Sequence, residues 1–94
     1  MFVIELTYKA PMDEIDRLLP DHNAFLDQQY AKGIFLASGR KVPREGGIIL
    51  ATGKKLDVEA AITSDPFYRH DLANYRITEF QVTRKAEELK TIFD

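Results

Sequence analysis

Two glycine-flanked segments, "GIFLASGRK" and "GGIILATG", carry apolar or small residues at both alternating positions: Ile34, Leu36, Ile48 and Leu50 on one side, Phe35, Ala37, Ile49 and Ala51 on the other. Successive side chains of a strand point to opposite faces of its sheet, so a strand pair with this pattern needs cover on both faces. The linking "KVPREGG", with Pro43, Gly46 and Gly47, reads as an extended hairpin loop. Whatever the rest of the chain does, it has to bury both sides of this hairpin.

The flanking segments supply one of the two covers. "FVIELTY" alternates Phe2, Ile4, Leu6 and Tyr8 against Val3, Glu5 and Thr7, the pattern of a strand with one strongly apolar face. After Pro11, apolar residues at Ile15, Leu18, Leu19, Phe25 and Leu26 keep helical spacing up to Tyr30 and stop at Gly33. Pro20 interrupts that spacing. Proline is poorly tolerated inside a helix, so the segment is expected to split into a short turn and a main helix starting near Pro20, with His22 in its first turn. "KKLDVEAAITSD", with Leu56, Val58, Ala61 and Ile62, predicts a second helix ending before Pro66. "YRITEFQV" predicts the last strand, with a bulge where the apolar phase shifts between Ile77 and Phe80. "RKAEELKTIFD" predicts a short amphipathic C-terminal helix.

The resulting order, β-α-β-β-α-β with an added C-terminal helix, is an α+β arrangement of the ferredoxin-like kind: a four-stranded antiparallel sheet with both main helices on one face. The helices cover one apolar face of the central hairpin only. A second copy packed sheet to sheet is the simplest cover for the other, so the chain is expected to form a homodimer, and a cleft left near that interface would suit a small-molecule ligand.

With 94 residues, 45% of them hydrophobic and 30% charged, residues 1–94 read as a single domain. A chain this short buries only about 60–65% of its unfolded surface, so association would help it. The absence of cysteine excludes thiol chemistry and thiolate metal sites and fits a reducing cytoplasm. "MFVIELTYKAPMDE" has no basic leader and only a short apolar run, which predicts a cytoplasmic protein without a membrane span. A net charge of −2 gives no reason to expect nucleic acid or an anionic membrane as partner. An RNA-reading sheet of the same topology is further disfavoured because "GGIILATG" has no aromatic to stack a base. Lys32, Arg40, Lys41 and Arg44 surround one loop, as a solvated surface or as an anion-facing rim.

The residues able to do chemistry are few. His22 lies on the apolar stripe of its helix, either as a buried histidine satisfied by a backbone carbonyl or as a general base. Its expected first-turn position would disfavour the imidazolium. Asp65, in "SDPF", has the position of a helix cap before a proline, and is equally the candidate carboxylate to orient His22. Ser38 and Gly39 end a strand, as a turn or as a hydroxyl and an open backbone that hold a substrate oxygen. Phe67 and Tyr68 fit core or interface packing, with Phe67 also a candidate substrate contact. His70, beside Arg69 and Asp71, looks solvent-exposed, and one His–Asp pair is too few ligands for a metal.

Taken in order, "HNAFLDQQYAKG", "LASGRKVPREGGIIL" and "SDPF" resemble the YciI-like (YCII-related) family of small bacterial proteins over nearly the whole chain. That resemblance implies a sheet-to-sheet dimer of the dimeric α+β barrel group, and a cleft carrying a His–Asp pair that falls here on His22 and Asp65. The family's glycine after the second strand falls on Gly39. Many members have Gly-Pro where this chain has Gly39-Arg40, which makes the rim more basic here, and the arginine that some place three residues before the histidine is Leu19. The family includes a dehydrochlorinase acting on a chlorinated hydroxyquinol.

Two functions follow as expectations. One is cofactor-free, metal-free proton transfer of lyase, isomerase or dehydrochlorinase type on a small anionic or phenolic compound, with His22 and Asp65 catalytic and Ser38, Gly39, Arg40 and Phe67 contacting substrate. The other is a non-catalytic metabolite-binding or regulatory module that uses the same cleft.

Overall fold

A computed structural model describes residues 1–93. Strand β1 (Phe2–Tyr8) is followed by helix α1 (Met12–Ala31), strands β2 (Phe35–Arg40) and β3 (Gly46–Ala51), helices α2 (Lys55–Thr63) and α3 (Pro66–Arg69), and strand β4 (Ala73–Glu79). The sheet order is β2-β3-β1-β4 and every neighbouring pair is antiparallel. This is the expected α+β, βαββαβ fold.

The register decides what faces the helices. Phe2, Ile4 and Leu6 of β1 are buried, and they pair with Ala51, Ile49 and Gly47 of β3 on the same face. Ile15, Leu18 and Phe25 of α1, Val58 and Ile62 of α2, and Phe67 of α3 close over them as one core. On the opposite face Val3, Ala37 and Leu50 fall in one row across the sheet, with the partly exposed Ile48 beside them.

The bulge expected in β4 lies elsewhere. β4 pairs with β1 without a break from Ala73 to Glu79, and the phase change before Phe80 marks the strand's end. The irregularity falls in β2, between Phe35 and Ala37. An extra residue there reverses the facing of everything after it. Phe35 pairs with Ala51 on the helix side, yet Ala37 pairs with Leu50 on the open side, and Ser38 and Arg40 pair with Ile49 and Gly47 on the helix side. Simple alternation would have put Ala37 among the helix-facing residues and turned Ser38 and Arg40 away.

Helix α1 also departs from expectation, since it runs unbroken through Pro20. Proline removes one hydrogen bond and crowds the preceding turn at a cost of about 3 kcal/mol. The apolar stripe continues on both sides of it, with Ile15 and Leu18 before and Phe25 after, all buried, while Pro20 itself is exposed. Burying side chains of that size stabilises by about 1.5–3 kcal/mol each, enough to hold the helix through the defect. His22 is therefore a mid-helix residue, and the dipole of a helix N-terminus does not act on it.

Two smaller expectations fail for want of a surface to pack on. The C-terminal helix is reduced to a short 3₁₀ turn at Glu87–Leu89 with no buried residue, and Asp94, the last residue of that expected helix, lies outside the described residues. Leu56 is 79% exposed at the start of α2 rather than part of its buried stripe. Among the described residues, no helix is long and apolar enough to cross a membrane.

Replacing Pro20 with Ala restores the missing donor on an exposed face. Chemical denaturation should show a gain of about 1–3 kcal/mol, with a smaller gain if the proline also restricts the unfolded chain.

Candidate functional site

The site is organised around Asp65, which has no exposed surface. The residue caps α3: its backbone is extended, Pro66 fills the first helical position, and the Phe67 N–H donates to Asp65 Oδ1 at 3.0 Å. The same oxygen lies 2.8 Å from His22 Nδ1 on α1. From β4, the Tyr75 hydroxyl donates to Oδ2 at 2.5 Å. The helix cap and the orienting carboxylate are thus one group.

This arrangement selects the histidine tautomer. The Phe67 amide is an obligate donor and a neutral Tyr75 hydroxyl donates as well, so Asp65 acts throughout as an acceptor. His22 Nδ1 then carries the ring's proton when the imidazole is neutral, and Nε2 is left with a free lone pair. Burial pushes the Tyr75 phenol well above the ordinary tyrosine value, and the negative charge of Asp65 pushes it the same way. Tyr75 therefore stays protonated, and a donor, at neutral pH.

The imidazole plane is held as firmly as its edge. Phe67 stacks flat against it, with ring centroids 4.2 Å apart and planes 8° from parallel, and Tyr8 meets the Phe67 ring edge-on at 5.9 Å. Phe67 is itself 1% exposed. Its main work is to support His22 from behind, so it borders the cleft chiefly as a wall.

The cleft, about 280 Å³, lies between α1 and the β2–β3 hairpin of a single chain. Leu19, His22 and Leu26 border it from α1, and Ser38, Gly39 and Arg40 from β2. Each proposed substrate contact therefore borders it together with His22, and Asp65 stands behind the imidazole. The Ser38 hydroxyl is paired with the Tyr30 hydroxyl of α1 at 2.5 Å, which fixes it on the helix side. Gly39 has a narrower part than expected. The Lys41 N–H bonds the Gly46 carbonyl, so the alternation of an antiparallel ladder makes Gly39 and Ile48 the next hydrogen-bonded pair and commits the Gly39 N–H to the sheet. Ser38 remains as the group able to hold a substrate oxygen.

Arg40 has no ion-pair partner among the described residues, whereas Arg44 is tied to Asp16 at 2.7 Å and Lys41 reaches Glu5 and Thr7 on the open face. Hydrogen bonding to Asp16 raises the Arg44 guanidinium further above its ordinary value. His70 is exposed, as expected, and the neighbouring Asp71 pairs with Lys9. Among the described residues no three His, Asp or Glu side chains gather closely enough to hold a metal ion.

Tyr75 and Tyr30 were not among the residues expected from sequence. Tyr75 shares its face of β4 with Ala73 and Ile77, and a tyrosine on the buried face of a strand needs a partner for its hydroxyl. That signal was present. Tyr30 became recognisable only once the β2 bulge had turned Ser38 toward α1.

The profile of the YCII-related domain matches residues 1–81. Among solved structures, the chain is similar to 5-chloro-2-hydroxyhydroquinone dehydrochlorinase from Burkholderia phenoliruptrix AC1100 in complex with 2,5-dihydroxybenzoquinone, with a TM-score of 0.66 and 16% identity over 85% of this chain and 93% of that one. At that identity the likeness is one of fold. No curated protein sequence matches the chain.

Because the folded state keeps the Tyr75 proton after the unfolded chain has lost it, Tyr75 contributes stability that is fully present below about pH 10 and is lost as pH rises above it, at up to about 1.4 kcal/mol per pH unit. Urea unfolding from about pH 9 to 11 should show this slope in the wild type and a shallower one in Tyr75→Phe. At neutral pH the variant should be less stable by about 1.5–3 kcal/mol, having left a buried carboxylate one donor short.

Proposed function

The chain belongs to the YCII-related family, and from that premise we propose that it is a small-molecule enzyme in which His22 moves a proton and Asp65 orients it. The observation that carries this reading is the His22–Asp65 contact at 2.8 Å, made from a carboxylate with no exposed surface to a histidine bordering a cleft. A histidine held by a helix-backbone carbonyl would need none of this.

In the proposed chemistry, Nε2 takes a proton from a carbon of the bound compound, and the imidazolium that forms is stabilised by Asp65. The electron pair left on carbon delocalises onto an adjacent oxygen, and the Ser38 hydroxyl, paired with Tyr30, would hold that oxygen. Return of the proton to a different carbon completes an isomerisation. Departure of a leaving group, such as chloride, completes an elimination. The substrate is a small anionic or phenolic compound. The structurally similar dehydrochlorinase is named for an elimination on a chlorinated hydroxyhydroquinone, and chemistry of that type suits a cleft whose acid–base group is an imidazole.

A panel of chlorinated hydroquinones and small hydroxy acids, followed by ultraviolet absorbance and chloride release, tests this directly. His22→Gln should lower turnover of any accepted compound by about 10²–10⁴-fold while the fold is retained. In Asp65→Asn the ¹⁵N spectrum of the neutral His22 ring should lose its preference for a proton on Nδ1. Stabilisation by a compound that is never consumed would replace the enzyme by a binding module using the same cleft.

We also propose that the open sheet face mediates a homodimer, because Val3, Ala37, Ile48 and Leu50 form an apolar band there that the helices do not cover. Sedimentation should give twice the chain mass, and Leu50→Glu should give the monomer. A monomeric wild type at high concentration would refute this.

A further inference from the structure

The charge on the wall of the cleft is one-sided. Arg40 and Arg44 border it, and among the described residues no aspartate or glutamate does. The two arginines are not equivalent. Arg44 spends one edge of its guanidinium on Asp16, whereas Arg40 has no ion-pair partner among the described residues.

Its position is nonetheless specified. The β2 bulge puts Arg40 on the helix side, and its partner across the ladder is Gly47, which has no side chain to occupy that space. An uninterrupted strand would have turned Arg40 to the open face. Leu19 and Leu26 on α1 and Ile49 on β3 form an apolar stretch of the same wall, beside the polar Asn23 and Ser38. A guanidinium without an ion-pair partner among the described residues, on a wall that also carries an apolar stretch and an imidazole, suits a ligand that has an apolar body and a single anionic group. The fork of an arginine matches a carboxylate with two parallel hydrogen bonds. A phosphate is less well served. The α1 residues that border the cleft lie mid-helix, between Leu19 and Leu26, where backbone N–H groups are consumed by the helix, and the Gly39 N–H is consumed by the sheet.

We propose that Arg40 is the carboxylate anchor of this cleft, and that its ligand is a small organic acid, of one ring or equivalent bulk, whose carboxylate pairs with Arg40 while its apolar body lies against Leu19 and Leu26 beside His22. This rests on the reading of the cleft as the site at which His22 acts, and it narrows the substrate from anionic or phenolic compounds to carboxylates.

The test is an NMR titration of the ¹⁵N-labelled protein with three probes: benzoate, its neutral counterpart benzyl alcohol, and inorganic phosphate. Benzoate should shift the Gly39 and Gly47 amides and the His22 ring saturably, binding at least about tenfold more tightly than benzyl alcohol, as charge-assisted hydrogen bonds imply. Arg40→Gln should weaken benzoate by about tenfold or more and leave benzyl alcohol unchanged. Equal binding of benzoate and benzyl alcohol, or benzoate binding indifferent to Arg40→Gln, would overturn the carboxylate anchor while leaving the cleft a ligand site. Phosphate binding to the same residues more tightly than benzoate would overturn it in favour of a phosphorylated ligand. If no probe moves the cleft residues, the anchor and the site reading fall together. Benzoate affinity retained in His22→Gln, together with absence of turnover in the wild type, would uphold the anchor and remove the enzyme.

Discussion

A carboxylate with no exposed surface has to be satisfied from inside the protein, and the way Asp65 meets that requirement orders much of the structure. Its donors come from three different elements: the imidazole of α1, the first turn of α3 and a hydroxyl from β4. Each of these elements is short or exposed on one side, and a shared buried acceptor is a reason for them to meet in one geometry only. The Phe67 ring adds a second constraint, because it belongs to the very turn that Asp65 caps and it stacks on the histidine that Asp65 holds. Edge and face of the imidazole are therefore fixed by two neighbouring residues of a single turn.

The cleft depends on a different device. In β2 one extra residue exchanges Ala37 for Ser38, and Gly39 for Arg40, on the side that faces α1. The hairpin that carries them is pressed hard against the centre of the sheet. A side chain at Gly46 would put its Cβ 1.8 Å from the Leu6 carbonyl oxygen, so only glycine permits that approach. Opposite Arg40, Gly47 has no side chain to occupy the space beside the guanidinium. A polar strand end, a bulge and two glycines thus make a polar wall on a sheet face that is otherwise mostly apolar.

The elements and their order were legible in the sequence because strand and helix periods are strong where a face is fully buried, as in "FVIELTY" and "AAITSD". The His22–Asp65 pair was legible as a pair of candidates, since an acid before a proline and a histidine on an apolar stripe both demand partners. Their contact was not, because 43 residues separate them and only the packing of α1 on α3 joins them. Pro20 misled for a related reason. Local preference at one residue was outweighed by the stripe to either side, which is a tertiary effect. The β2 bulge left no trace, as "FLAS" has no glycine or charge at the point of irregularity, and with it went the facing of Ser38 and Arg40 and the part played by Tyr30.

Placing His22 in the middle of α1 rather than in a first turn changes what governs its chemistry. A first-turn imidazole would feel the partial positive charge of a helix end, and that charge would oppose its protonation in free protein and complex alike. In mid-helix that influence is absent, and the formal charge in contact with the ring is that of Asp65. Asp65 is in turn restrained by Tyr75, which draws on the second oxygen and is kept neutral by its own burial. What the ring meets is therefore a held carboxylate rather than a helix end, and Arg40, which has no ion-pair partner among the described residues, borders the same cleft.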